Sequence, residues 1–260
     1  IPEPCYVSYV PCVQLIGAVP VTIELKNENQ FRLTPEELLA AITDKTKILI
    51  LAFPSNPTGA VMTKEDLEPI AKICQEKDIY VISDEIYSEL TYGGQKHCSI
   101  SSLPGMKDRT IVINGFSKAY AMTGWRLGYA LAPEVIAHQM TKIHQFAIMC
   151  APTTSQYAAI EAIKNGDADI EKMCKSYDQR RRFLLKKFEE IGLPCFEPHG
   201  AFYVFPCIKS TGLTSEEFCE RLLYEENVAV VPGHAFGGSG EGFVRVSYAY
   251  SLNHLMDAAR

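Results

Sequence analysis

Lys118 stands beside Ser117 just past an apolar run. Arg126 follows eight residues later in Gly124-Trp125-Arg126-Leu127-Gly128-Tyr129. An amine at the end of a buried strand is placed to condense with an aldehyde, and a hydroxyl and a guanidinium beside it suit a phosphate on the same molecule. An aldehyde that carries a phosphate points to pyridoxal phosphate. A Ser-Lys pair alone weighs little, because most lysines are solvated surface charges. The surrounding elements have to decide.

Three apolar runs precede these residues: Lys47 to Ala52, Ile79 to Ser83 and Thr110 to Asn114. They are continuous rather than alternating, the pattern of buried strands in a parallel sheet. Polar residues follow each run, in Phe53-Pro54-Ser55-Asn56-Pro57-Thr58-Gly59, Asp84-Glu85-Ile86-Tyr87 and Phe116-Ser117-Lys118. Thr63-Lys64-Glu65-Asp66 reads as a capping box that opens a helix with Leu67, Ile70, Ala71 and Cys74 on one face. The first two runs therefore predict a strand-helix-strand unit with a right-handed crossover. Ligands of open parallel sheets bind outside the carboxyl ends of the strands, so Asn56, Asp84 and Lys118 are expected to converge.

The residue types match the chemistry of such a cofactor. A carboxylate such as Asp84 against a pyridine nitrogen keeps it protonated, and a protonated ring accepts the electrons left when a bond at the substrate α-carbon breaks. Asn56 and Tyr87 carry donors suited to the phenolate oxygen of the ring, although a turn asparagine and a core tyrosine are their plainer readings. Once released by substrate, Lys118 is an amine within reach of the α-carbon and can act as acid and base there.

Ser55-Asn56-Pro57-Thr58-Gly59, Ser83-Asp84-Glu85-Ile86-Tyr87, Ser117-Lys118 with Gly124 and Arg126, and Phe243-Val244-Arg245-Val246-Ser247 occur in one order and spacing. On these residues the chain resembles, over essentially all of its 260 positions, the class I pyridoxal-phosphate aminotransferases of the aspartate aminotransferase fold type. The resemblance implies an α/β fold, with a mainly parallel sheet sandwiched by helices and a smaller C-terminal α/β domain. It implies that Lys118 forms the Schiff base, Asp84 meets the pyridine nitrogen, Asn56 and Tyr87 meet the ring oxygen, and Ser117 and Arg126 bind phosphate. Tyr6 falls where such enzymes stack an aromatic ring on the cofactor. Arg245, with Asn56, binds substrate through the α-carboxylate, which suits a planar bidentate fork. Amino acid and 2-oxoacid substrates and a homodimer follow by the same resemblance. Tyr6-Val7-Ser8-Tyr9 and His144 to Gln156 are closest in flavour to bacterial aminotransferases for aspartate, aromatic or N-acetyl-diaminopimelate substrates. The family expectation places roughly a hundred residues before Ile1, including a loop that presents a helix N-terminus to the phosphate.

The sequence divides into a cofactor domain, residues 1–168, and a second domain, 169–260, entered by a long helical pattern from Asp169 to Gly192. Hydrophobic residues make up 47% of the chain, enough to fill a sizeable core. No apolar run approaches the ~20 residues of a membrane helix. A net charge of −6 argues against a nucleic-acid face, and Arg180-Arg181-Arg182 reads as a solvated helix face. Nine cysteines without a C-x-x-C pair suit reduced thiols in the cytoplasm, and six histidines show no metal-ligand spacing. Three other functions stay open at this level. A cysteine-sulfur β-lyase would share every cofactor residue. An aminotransferase-like regulator domain would bind the cofactor without turnover. A nucleotide triphosphatase could use Ser83-Asp84-Glu85, but no G-x-x-x-x-G-K-[ST] loop occurs in the chain.

Overall fold

The three apolar runs become the strands Ile48–Ala52, Tyr80–Asp84 and Thr110–Gly115 in a computed structural model that describes residues 1–260. They pair in parallel in that order, with Ala52 opposite Asp84 and Asp84 opposite Ile113. A fourth strand, Gly128–Leu131, runs antiparallel to Thr110–Gly115. It lies in the apolar stretch Leu127 to Ala132, yet its four residues are all exposed. What permits the pairing is two glycines: a Cβ on Gly115 would lie 2.9 Å from the Cα of Gly128.

Burial in the first two strands alternates. Leu49, Leu51, Val81 and Ser83 are buried, whereas Ile48 and Tyr80 are 48% and 40% exposed. Continuous apolar runs suggest burial on both faces; here one face is packed and the other is only partly covered. The connecting helix, Lys64–Glu76, begins at the expected capping box, with Thr63 and Asp66 bonding each other's backbone N–H, and buries Leu67, Ile70, Ala71, Ile73 and Cys74.

Beyond Tyr80–Asp84 the chain is fixed by Glu85, which is 4% exposed. Its carboxylate accepts from Ser83 Oγ at 2.9 Å and from Ser99 Oγ at 2.6 Å, and meets His97 Nε2 at 2.8 Å. Burial pushes this carboxyl up, but the hydrogen bonds from His97, Ser99 and Ser83 outweigh it and hold the group below the ordinary glutamate value of 4.5.

The chain folds into two units. Ile42–Pro54 with Met62–Cys174 holds the four-stranded sheet, and Ile1–Ala41 with Ser55–Val61 and Lys175–Arg260 makes up the second. Segments of the two therefore interleave along the chain. What gathers the distant segments of the second unit is aromatic packing and one backbone bond. Phe31 is 1% exposed and sits edge-on to Phe196, Phe205 and Phe243 at 5.3, 5.7 and 5.4 Å, while the Gly59 carbonyl accepts from Gly200 N–H at 2.9 Å.

The second unit carries a three-stranded antiparallel sheet with Val244–Ser247 in the middle, between Tyr203–Val204 and Val231–Pro232. The apolar run Ala201 to Cys207 is strand only at Tyr203–Val204, with one further bridge from Cys207 to Phe243. Helix Ser215–Glu226 has a capping box at Thr214 and ends on Asn227 in the left-handed region, φ 59°. The long helix spans Asp167–Glu190. Arg180-Arg181-Arg182 is not uniformly solvated, because the Arg181 side chain is 3% exposed. Arg181 donates to Asp178 and to Glu197, each at 2.7 Å, and to the Pro198 carbonyl at 3.1 Å. Only Arg182 of the three lies on an exposed face.

The buried charges set the pH and mutational response of stability. Glu85 has a folded pKa below its unfolded value, so the unfolded state binds more protons in the window between them. Its contribution is complete above pH 4.5 and is lost as pH falls through the folded value. Glu85→Gln should therefore cost about 1–3 kcal/mol at neutral pH, and the gap to wild type should narrow below pH 4.5 in urea unfolding. Arg181→Ala should destabilise by about 2–3 kcal/mol in the same assay. Glu197→Ala should cost under about 1 kcal/mol, since the Glu197 side chain is 59% exposed.

Candidate active site

Lys118 lies three residues beyond the strand Thr110–Gly115, in a loop closed by its own backbone. Ala121 N–H donates to the Lys118 carbonyl and Met122 N–H to the Phe116 carbonyl, both at 3.2 Å. Thr123 Oγ1 donates to the Ser117 carbonyl at 2.9 Å, and Arg126 Nη1 donates to the Thr123 carbonyl at 3.0 Å. Ser117, Lys118 and Arg126 thus belong to one knit loop. Arg126 takes the left-handed backbone at φ 53°. Beneath the loop, Phe116, Met122 and Ala159 form a small core, and Ser155 Oγ, from helix Thr153–Asn165, donates to the Trp125 carbonyl at 2.7 Å.

On the neighbouring strand, Asp84 Oδ1 accepts from Ile86 N–H at 3.1 Å, which turns the chain sharply and sends Tyr87 inward, where it is 4% exposed. Lys118 Nζ lies 5.8 Å from the centroid of the Tyr87 ring. Because Asp84 and Ile113 are register partners, the carboxylate and the lysine loop issue from the same end of the sheet. Amine, carboxylate, phenol, hydroxyl and guanidinium are therefore all on the unit of Ile42–Pro54 and Met62–Cys174. This donor set fits pyridoxal phosphate: an amine for the aldehyde, an anion for a protonated ring, and a hydroxyl and cation for the phosphate.

Asn56, expected at the strand ends with Asp84 and Lys118, belongs to the other unit together with Tyr6 and Arg245. It sits in a turn closed by Gly59, whose N–H donates to the Ser55 carbonyl at 2.9 Å. Gly59 has φ +75°, and a Cβ there would lie 2.5 Å from Pro198 Cβ and 2.9 Å from the Tyr203 carbonyl oxygen. The turn is thereby pressed onto the segment that leads into the small sheet. Asn56 Oδ1 accepts from Arg245 Nη1 at 2.9 Å. Tyr6 is 43% exposed, its ring edge-on to Tyr9 at 5.7 Å.

Arg245 occupies the middle strand of the small sheet. Its guanidinium carbon lies 4.5 Å from the ring centroid of Tyr203 and 4.8 Å from that of Phe236. The acceptor that engages it is the neutral amide oxygen of Asn56. The guanidinium is thus half-buried against two rings and one neutral oxygen, an arrangement whose chemistry suits an anion.

Sequence reasoning missed three contributors. Tyr203 and Phe236 carry no motif, and only strand pairing brings Tyr203 beside Val244–Ser247. Glu85 looks in the sequence like half of an acidic pair, yet its oxygens are occupied by His97, Ser83 and Ser99. No group of three His, Cys, Asp or Glu side chains gathers as a metal site.

Comparison with known proteins adds to this geometry. The profile of the family Aminotransferase class I and II matches residues 1–259. The chain is 51% identical over 260 residues to the aspartate aminotransferase of Pyrococcus abyssi, covering 99% of this chain and 67% of that protein. It is 48% identical to aromatic-amino-acid aminotransferase 2 of Thermococcus litoralis, with the same coverage. The crystal structure of the aromatic aminotransferase from Pyrococcus horikoshii OT3 superposes with a TM-score of 0.97 at 50% identity, over 99% of this chain and 69% of that one. The chain thus spans about two thirds of the length of the relatives it matches. With the lysine loop, the Asp84 turn and the carboxylate-free Arg245 in place, the chain belongs to the class I and II aminotransferases.

Proposed function

We propose that this aminotransferase moves an amino group between an L-amino acid and a 2-oxoacid, with the residue roles that follow. Pyridoxal phosphate, when bound, would supply an electron sink for bond breaking at the substrate α-carbon. Lys118 holds the cofactor through its amine and, once displaced by substrate, moves the proton at the α-carbon. Asp84 keeps a proton on the pyridine nitrogen, Tyr87 and Asn56 donate to the ring oxygen, and Tyr6 covers the ring. Ser117 and Arg126 hold the phosphate. Arg245 binds the substrate α-carboxylate and fixes which bond lies over the reacting atoms. On this reading, residues 1–168 supply the cofactor groups and 169–260 the carboxylate receptor.

The observation that carries the reading is the half-buried Lys118 amine over the Tyr87 ring, in a loop whose other members are a hydroxyl and a guanidinium. The names of the relatives support aspartate, an aromatic amino acid or N-acetyl-diaminopimelate as donor. A cytoplasmic homodimer is part of the proposal. It is supported by nine cysteines with no disulfide. It is also supported by exposed apolar side chains along helix Glu134–Ala147, where Val135, Ile143 and Phe146 are 77%, 73% and 94% exposed.

The full-length protein should bind pyridoxal phosphate with a visible absorbance that borohydride fixes onto the peptide containing Lys118. A panel of amino acids should then shift that absorbance, and the one that does so names the donor. Lys118→Ala should lose borohydride fixation and at least about 1000-fold in kcat, since anchor and proton carrier go together. Pyruvate and sulfide released from cystathionine, without amino transfer to a 2-oxoacid, would replace this reading with the β-lyase. Arg245→Gln should raise KM for the donor by about 100-fold or more, as expected when a charged hydrogen-bond partner of a carboxylate is removed.

A further inference from the structure

We propose that Tyr203 and Phe236 are positioning residues for Arg245, an inference that rests on reading Arg245 as the receptor of the substrate carboxylate. The guanidinium lies over both rings, at 4.5 Å from the Tyr203 centroid and 4.8 Å from the Phe236 centroid. Both rings are buried, at 7% and 4% exposure, so neither is free to swing away.

Each ring is held by a separate part of the fold. Tyr203 pairs with Ser247 across the small sheet, and Arg245, two residues before Ser247 on the same strand, projects to the same face as a diagonal neighbour. Phe236 ends the turn Gly233–Phe236, which is clamped from two directions: Gly233 N–H donates to the Phe243 carbonyl at 2.9 Å, and the Phe236 carbonyl accepts from Cys5 N–H at 2.9 Å. Gly233 also lies so close to Gly240 that a Cβ would overlap the Gly240 carbonyl oxygen.

Arg245 is thereby constrained in two independent ways. The aromatic faces fix the plane of the guanidinium and displace water from it, and the bond from Nη1 to Asn56 fixes its rotation within that plane. What remains presented is an N–H edge in a defined direction. Such an edge matches the two oxygens of a carboxylate taken in the same plane. Long arginine side chains lose much rotamer freedom on binding, and a clamp of this kind removes that loss before substrate arrives.

The test uses the full-length holoenzyme and the donor identified from its absorbance changes. Tyr203→Leu and Phe236→Leu should each raise KM about tenfold, the scale of a desolvated cation–π contact, with kcat altered less than about threefold. Tyr203→Phe, which keeps the ring, should stay within about twofold of wild type. In an Arg245→Gln background, Tyr203→Leu should add less than about twofold, because the ring acts through the arginine. If a leucine variant does not fold or bind cofactor, Tyr203→Met and Phe236→Met, whose unbranched side chains adapt to an irregular space, carry the same expectation.

A wild-type KM in the leucine or methionine variants, with KM raised in Arg245→Gln, overturns the clamp and leaves Arg245 as receptor. An equal rise in KM with and without Arg245 also overturns it, since the rings would then act on their own. An unchanged KM in Arg245→Gln itself removes the carboxylate reading and the clamp with it.

Discussion

The register of the parallel strands is the constraint on which the site depends. Ala52 stands opposite Asp84, and Asp84 opposite Ile113, so the loops after the strands begin at a common level. A slip of one residue would turn Asp84 to the opposite face and exchange it with a buried neighbour. Two features make such a slip costly. Leu49, Leu51 and Val81 are buried on the packed face, and the next residue after Asp84 is locked to Ser83, His97 and Ser99. Glu85 therefore anchors the strand end from which Asp84 projects.

Charge is handled differently in the two groups of residues. Glu85 and Arg181 are buried with several hydrogen-bonding partners each, as structural charges must be. Arg245 is half-buried and meets rings and one neutral oxygen. A protein carboxylate in the place of the Asn56 oxygen would have given Arg245 an ion pair of the kind that neutralises Arg181. The fold leaves the fixed arginine short of an anion, a cost that the rest of the small sheet and the Phe31 cluster have to offset.

Much of the site is legible in the residues. Strand ends, the capping boxes at Thr63 and Thr214, the Ser117-Lys118 pair and the Arg245 strand all depend on near neighbours in sequence, where periodicity and side-chain chemistry act directly. Three things are not legible. The Gly128–Leu131 strand is apolar in sequence yet exposed on every residue, and its antiparallel pairing depends on the close approach of Gly115 and Gly128. The alternate burial of Ile48–Ala52 and Tyr80–Asp84 reflects what covers each face, which composition does not encode. Arg181 looks like Arg180 and Arg182 until the fold brings Glu197 and the Pro198 carbonyl to it.

The residue string settles which chemistry is available: an amine, a carboxylate, a phenol and two guanidinium groups at the ends of expected elements, in an order shared with one enzyme family. Packing selects which of these groups are partnered and which are left to act. Spacing groups Asn56 with Asp84 and Lys118, and packing adds contacts that spacing does not give: Gly59 presses the Asn56 turn onto Gly200 and Tyr203, and the amide oxygen accepts from Arg245. Spacing likewise pairs Glu85 with Asp84, whereas Ser83, His97 and Ser99 make it structural. The Asn56 and Arg181 contacts join residues that stand far apart along the chain. Local spacing carries no information about such contacts, because only packing of the buried faces brings them into being.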